Sequence, residues 1–374
     1  MQIAIDLRGL THKHQSGVGV YTTELLNALF SLENNHTYLL FSSGLHKPSL
    51  NLPLSSLSHQ WIHIPVPNKL LNLSFILTHR PFLNRFIKNS IQYPSLFFFP
   101  NINIISLRPQ TPYVLTMHDL SFELFPEFFR VKNQFWHHFC SVKKLATKAR
   151  AIIVPSKSTA IDLQNFYHLP PERIYIVPHG LSCEFETKTT DLDKIVQKKY
   201  NLPLRFVFFM GDIVRRKNIS ALIWAVRQYR KQTNEALEIV LVGKPGTALP
   251  AISQAPFIHY FHYIPFEERA SFYRLALVTL FPSFYEGFGM PLLESMASGT
   301  PVITSRVSSN PEIAGEAAIF IDPYDPHQLL LALKQLVLSP LYYKDLQKRG
   351  FEQTNKFTWQ KTAEQTIQVF EQTI

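Results

Sequence analysis

The stretch VTLFPSFYEGFGMPLLESMASGTPVITS (278–305) contains a complete structural unit. VTLFPS (278–283) and TPVITS (300–305) are short β-branched and aromatic runs, the composition of buried strands. Between them lie two glutamates, Glu286 and Glu294, and a Gly-x-Gly-x-Pro turn. Pro291 suits the first turn of a helix, where its missing N–H costs nothing. Gly299 suits the end of that helix. The reading is strand, turn, helix, strand, which points to a parallel sheet.

Similar runs recur along the chain. MQIAIDL (1–7), YLLFSS (38–43), WIHIPV (61–66), SLFFFP (95–100), YVLTMH (113–118), AIIVPS (151–156) and RIYIVPHG (173–180) precede a polar, charged segment at 183–204. RFVFFMGD (205–212), LEIVLVGK (237–244), IHYFHYI (258–264) and AAIFID (317–322) follow it. Helical patterns fall between them, such as SALIWAVRQYRKQ (220–232) and HQLLLALKQLVLS (327–339). At 374 residues the chain exceeds one core, and its two halves share a plan. Two doubly wound, Rossmann-like domains are therefore expected. We place them at 1–190 and 200–356, with FTWQKTAEQTIQVFEQTI (357–374) a helix packing back on the first.

Hydrophobic residues make up 46% of the chain, enough for two cores. The two cysteines, Cys140 and Cys183, form no CxxC and have no neighbouring histidine cluster. That argues against a zinc site or disulfide framework and for the cytoplasm. MQIAIDLRGL carries Asp6 and Arg8 in its apolar run and suits a first strand, not a signal peptide. SLFFFPNINIISL (95–107) comes nearest to a membrane span, but it is short and Pro100 breaks it.

The net charge of +10 is unevenly laid out. From Asn34 to His118 there is no Asp or Glu, while Lys47, Lys69, Arg80, Arg85, Lys88 and Arg108 fall in that window. Arg130, Lys132, Lys143, Lys144, Lys148 and Arg150 continue the basic run. A basic, aromatic-rich face without acids suits anionic lipid headgroups. An ordinary solvated face is the alternative. No zinc-finger, RNP-like or basic-zipper pattern calls for nucleic acid.

Ligands of open α/β sheets bind beyond the carboxyl ends of strands, so residues following strands are the candidates. Glu286 lies on the turn and Glu294 about one turn into the helix. The glycines let a ligand approach, and helix-start amides favour a phosphate. A glycine turn with a capping glutamate reads the same way. Arg216 and Lys217 follow the strand that ends near Gly211, with a solvated basic turn as their alternative. Gly17 and Gly19 are placed in a loop before a helix at 20–30, where a plain tight turn would also account for them. His118 ends its strand beside Asp119. Ser156 and Lys157 follow another strand, with a helix N-cap as the alternative role of Ser156. His179 and Gly180 close the last strand of the first half. The only Asp-x-Asp, DLD (191–193), is read as surface, which argues against metal-held chemistry.

FYEGFGMPLLESMASGTPVITS resembles the Glu-x7-Glu motif of the family 4 retaining glycosyltransferases. RGLTHKHQSGVGVYTTEL, TMHDLSFELFPEFF, VPSKSTA, IVPHG, FMGDIVRRKN, YRLALVTLFPS and VSSNPEIAGEAAIFIDPYDP are similar to further family segments, in order. A lone Glu-x7-Glu would carry little; the ordered set carries the resemblance, which leaves out only the region from about 44 to 95.

The resemblance implies the GT-B fold: two Rossmann-like domains facing each other across a cleft, the first for the acceptor and the second for a nucleotide sugar. It implies that Glu294 holds the ribose hydroxyls and Glu286 touches the donor sugar. Amides at Phe288, Gly289 and Met290 would cradle the distal phosphate, with Gly211 at the phosphate-binding strand end. Arg216 and Lys217 would neutralise the pyrophosphate, Gly17 and Gly19 would face it from the other domain, and His118 would meet the transferring sugar. Ser156 and His179 would line the cleft. No metal or other cofactor is obligatory. With no double-displacement nucleophile evident, a front-face reaction is implied, in which the leaving phosphate takes the acceptor's proton.

HDLSFELFPEFF and GVGVY look most like bacterial mannosyltransferases of O-antigen and related polysaccharide assembly. GDP-mannose is the favoured donor, ahead of UDP-glucose, UDP-galactose and UDP-N-acetylglucosamine. The acceptor would be a glycan or lipid-linked glycan, and the enzyme peripheral on the inner face of the cytoplasmic membrane. The other readings are a sugar-nucleotide epimerase of the same fold and a non-catalytic partner in a glycan-assembly complex. An NAD-dependent oxidoreductase would need a third glycine that GVGVYT lacks.

Overall fold

A computed structural model describes residues 1–10, 17–48, 59–87, 94–129, 139–185, 191–246 and 255–374. Residues 11–16 and the basic residues Lys88, Arg130 and Lys132 lie outside the described residues. The chain divides into two compact units: Met1–Gly180 with Thr358–Ile374, and Leu181–Phe357.

In the first unit, β1 (Gln2–Asp6), β2 (Thr37–Ser43), β3 (His59–Ile64), β4 (Leu96–Phe99), β5 (Tyr113–Thr116), β6 (Ala151–Val154) and β7 (Ile174–Ile176) form one sheet. Its order is β3-β2-β1-β4-β5-β6-β7, and every pairing is parallel. The second unit holds β8 (Phe206–Met210), β9 (Glu238–Val242), β10 (Ile258–Phe261), β11 (Val278–Phe281), β12 (Val302–Ser305) and β13 (Ala318–Ile321). They run β10-β9-β8-β11-β12-β13, again all parallel. Each expected strand forms; most are trimmed at their ends, while β2 starts one residue earlier than expected and β3 is shifted two residues toward the amino terminus. Pro100, Pro155 and Pro282 directly follow β4, β6 and β11, because a proline has no N–H for the ladder.

Side chains alternate between two cores. Ile3 and Ile5 pack with Leu25, Leu29 and Phe370, while Ala4 packs with Leu39, Phe97 and Leu115 on the other face. In the second unit Val207 and Phe209 face one core, Phe206 and Phe208 the other. Sheets covered on both sides need apolar residues at every strand position, which is why the strands read as unbroken runs. The terminal helix Trp359–Thr373 belongs to the first unit, with the Phe370 ring 5.0 Å from that of Phe98.

Strand order reverses between β1 and β4, and between β8 and β11. At such switch points the chain leaves neighbouring strands in opposite directions and opens a crevice at their carboxyl ends.

Two expectations are corrected here. Gly17 and Gly19 are not in a loop; they form the first turn of the helix Gly17–Ser31. Burial of Gly19, Tyr21 and Thr22 draws the helix start back past the residues that favour a turn. Nor is DLD a surface feature. Asp191 is exposed, but Asp193 is buried on the inner face of the helix Asp191–Lys199. Both its oxygens accept from Arg274, at 2.6 and 3.0 Å, which satisfies the buried charge.

Candidate functional site

In the second unit, the segments leaving β8 and β11 run side by side because those strands pair across the switch point. The 3-10 turn Arg215–Lys217 follows β8, and Glu286 follows β11. The Phe284 amide donates to the Arg216 carbonyl at 2.9 Å, which pins the two segments together. Lys217 Nζ donates to Glu286 Oε1 at 2.6 Å, and Arg216 Nη1 lies 3.1 Å from Glu286 Oε2. Arg216 also donates to the Tyr285 carbonyl. The Lys217 ammonium stands 4.6 Å from the centre of the Phe281 ring.

Lys217 and Glu286 are both buried. Burial drives the Glu286 carboxyl up, but Lys217 and then Arg216 outweigh it and hold it below its ordinary value. Burial pulls Lys217 below the usual lysine value, with Glu286 opposing. Two cations, Lys217 buried and Arg216 half-buried, thus converge on one buried carboxylate beyond the ends of neighbouring strands. That geometry can meet a phosphate at little cost of reorganisation.

Gly289 has φ +100, and a Cβ there would meet Leu292 at 3.1 Å and Asn310 at 3.3 Å. It turns the chain into the helix Met290–Ala297, where Pro291 occupies the first turn. Phe288 and Gly289 lead into that helix and Met290 begins it; the amides of a helix start favour an anion. The helix closes on Gly299, at φ +78, where Gly299 N donates to Met296 O and Thr300 N to Ser295 O. Gly211, at φ +149, directly follows β8, and a side chain on it would touch Phe209 and Lys217.

Residues that the sequence reading did not single out shape this site. Ser308 Oγ accepts from the Glu286 amide at 2.9 Å, and Ser309 Oγ lies 2.9 Å from both the Glu286 and Phe288 carbonyls. Both serines sit in VSSNPE, just beyond β12, so position after a strand was the available signal. Glu294 is buried, and Tyr273 OH donates to its Oε2 at 2.7 Å. Burial raises the Glu294 pKa against the opposing pull of Arg269 and the Tyr273 hydrogen bond. Nothing local in RASFYRL marks Tyr273 for this role. Among the described residues, no group of three or more His, Cys, Asp or Glu is placed to hold a metal.

In the first unit, His118 and His179 follow β5 and β7 and meet on Tyr21. The Tyr21 ring lies 4.7 Å from His118 and 4.6 Å from His179, and the two imidazoles are 5.3 Å apart. Trp359 completes the stack, 6.3 Å from His179. Burial pushes both histidines below the usual value, His179 further, with His118 adding to its shift. His118 Nε2 is 2.9 Å from the Pro100 carbonyl, which can only accept. In the neutral ring the proton therefore sits on Nε2, and Nδ1 is left as an acceptor. Tyr21 and Trp359 were not among the expected site residues.

Ser156 caps the helix Lys157–Tyr167, its Oγ accepting from the Thr159 amide at 3.2 Å. Gly180 is held by packing: a Cβ there would lie 2.1 Å from the Trp359 nitrogen.

The chain matches the family model "Glycosyltransferase Family 4" over residues 15–185 and "Glycosyl transferases group 1" over residues 193–353. It is similar to the O-antigen chain mannosyltransferase B of Escherichia coli, 28% identical over 265 residues and 69% of each chain. It is also similar to the MMP alpha-(1->4)-mannosyltransferase of Mycolicibacterium hassiacum, 28% identical over 64% of this chain and 58% of that one. Sucrose-phosphate synthase from Thermosynechococcus elongatus has the same fold. Its TM-score is 0.76 at 20% identity, covering 99% of this chain and 98% of its own.

Proposed function

The chain belongs to glycosyltransferase family 4, with the two Rossmann-like domains of the GT-B fold, and from that premise we propose that it transfers mannose from GDP-mannose with retention. The acceptor in this reading is a glycan or lipid-linked glycan at an anionic membrane surface. The observation that carries it is the convergence of Lys217 and Arg216 on Glu286 beside the Gly289 helix start.

The diphosphate carries the charge that grows as the bond from the sugar C1 to the phosphate oxygen breaks. Lys217, Arg216 and the amides at Phe288, Gly289 and Met290 receive that charge, with Gly211 leaving room beside Lys217. Glu286 orients the donor sugar, and Glu294, steered by Tyr273, holds the ribose hydroxyls. The acceptor hydroxyl attacks C1 on the face the diphosphate leaves, and the leaving phosphate oxygen takes its proton. His118, neutral with Nδ1 as acceptor, binds a sugar hydroxyl and does not shuttle a proton. Gly17 and Gly19 supply amides at the start of their helix, and Ser156 and His179 support the first unit's share of the site. Two relatives named as mannosyltransferases favour mannose. A UDP-hexose is the second reading.

Thermal-shift titration with GDP-mannose, UDP-glucose, UDP-galactose and UDP-N-acetylglucosamine tests the donor, followed by transfer from whichever stabilises. GDP-mannose is expected to raise the melting temperature most. Stabilisation by UDP-sugars alone replaces the donor, and no stabilisation by any of them sinks the reading.

A further inference from the structure

The helix Asn68–Thr78 is apolar on two sides. Leu71 and Phe75 go into the core of the first unit at 4% and 2% exposure. Leu70, Leu73 and Leu77, spaced three and four apart, share the other face and are 59%, 50% and 71% exposed. Leu45 is 72% exposed and lies two residues after Ser43, whose hydroxyl donates to Asn68 at the start of the helix. Lys69 and Arg80 are exposed at the two ends of the helix, and Lys47 stands 4.1 Å over the Trp61 ring on neighbouring β3. Ser74 and Thr78 hydroxyls donate to the Arg80 carbonyl at 2.6 and 3.0 Å, which ties that residue to the helix.

We propose that this face docks on an anionic lipid surface, with the four leucines below the headgroups and Lys47, Lys69 and Arg80 among them. It deepens the membrane-side part of the functional reading and rests on it.

Charge decides the occupant. The sequence from Asn34 to His118 contains no carboxylate side chain, so nothing in this window repels anionic headgroups. A second copy of the chain would set the same lysines and arginine against each other, which disfavours self-association here. Exposed leucines rimmed by cations are the composition of a helix lying in the interface, where apolar burial and headgroup attraction add. No helix among the described residues is long and apolar enough to cross a membrane. The contact is therefore one of lying on the surface.

Co-sedimentation of the full chain with phosphatidylcholine vesicles, with and without phosphatidylglycerol, tests this. The protein is expected to pellet only when phosphatidylglycerol is present. Lys69→Gln should lower partitioning about five-fold. The combined Leu70→Ser, Leu73→Ser, Leu77→Ser variant should lower it by more than about a hundred-fold. That variant should keep its melting temperature and its stabilisation by GDP-mannose, since these leucines are outside the core and the nucleotide site. A wild type that pellets with neither vesicle overturns both the docking face and the membrane-side reading, while transfer stands or falls on its own assay. Equal pelleting of variant and wild type overturns this face alone. Pelleting that ignores phosphatidylglycerol overturns the choice of an anionic surface.

Discussion

Lys217 is the residue on which catalysis turns in this reading, because a buried ammonium meets the departing diphosphate without water in between. Lys217→Ala is expected to lower kcat/KM about 10²–10³-fold, and steady-state kinetics checks it. Glu294 makes a different prediction. Its pKa is raised on folding, so the folded state binds the proton more tightly than the unfolded chain. Stability is then lost as pH climbs from the ordinary glutamate value through the raised one. Glu294→Gln removes that loss: its melting temperature should exceed that of wild type at neutral pH, while stabilisation by the nucleotide sugar shrinks. A variant destabilised at neutral pH would contradict the assignment. Glu286 has the opposite sign. Its lowered pKa gives stability that is present above the ordinary value and lost as pH falls through the lowered one.

At the level of elements, turns at the strand ends place the chemistry. Gly243, after β9, has φ +155, and a Cβ on it would lie 1.8 Å from the Gly211 carbonyl oxygen. Gly211 leads directly into the turn that carries Arg216 and Lys217. Gly243→Ala should therefore cost about 3 kcal/mol or more, from overpacking and backbone strain together. Urea denaturation measures it, and nucleotide stabilisation should fall with it. The strands were legible because parallel sheets buried on both faces demand continuous apolar runs, and prolines marked where several of them stop. The start of the helix at Gly17 was not. Glycine is a poor helix former, and burial of Tyr21 and its neighbours decides the matter through contacts distant in sequence. Asp193 escaped for a similar reason, since its partner Arg274 lies 81 residues away.

Across the whole molecule, the chain's last helix returns to the first unit. Phe370 is fully buried there against Phe98. Phe370→Ala is expected to cost about 3–5 kcal/mol in urea unfolding, whereas Leu77→Ala on the exposed face should stay within about 0.5 kcal/mol. The two polar clusters, one on each unit, were legible as lists of residues after strands. Their internal contacts were not: Tyr21 beneath both histidines, Tyr273 on Glu294, and Ser308 and Ser309 bracing the Glu286 turn.

What the sequence determined alone is the set of elements, their alternation, and the glycine turn with its two glutamates, because hydrophobic period and turn chemistry are short-range properties. Tertiary structure decided the partners of those glutamates. Glu286 meets Lys217, 69 residues away, because β8 and β11 are neighbours in a sheet whose order departs from that of the chain. Glu294 meets Tyr273 from the helix before β11. Charge pairing follows distance in space, and only the folded sheet sets that distance.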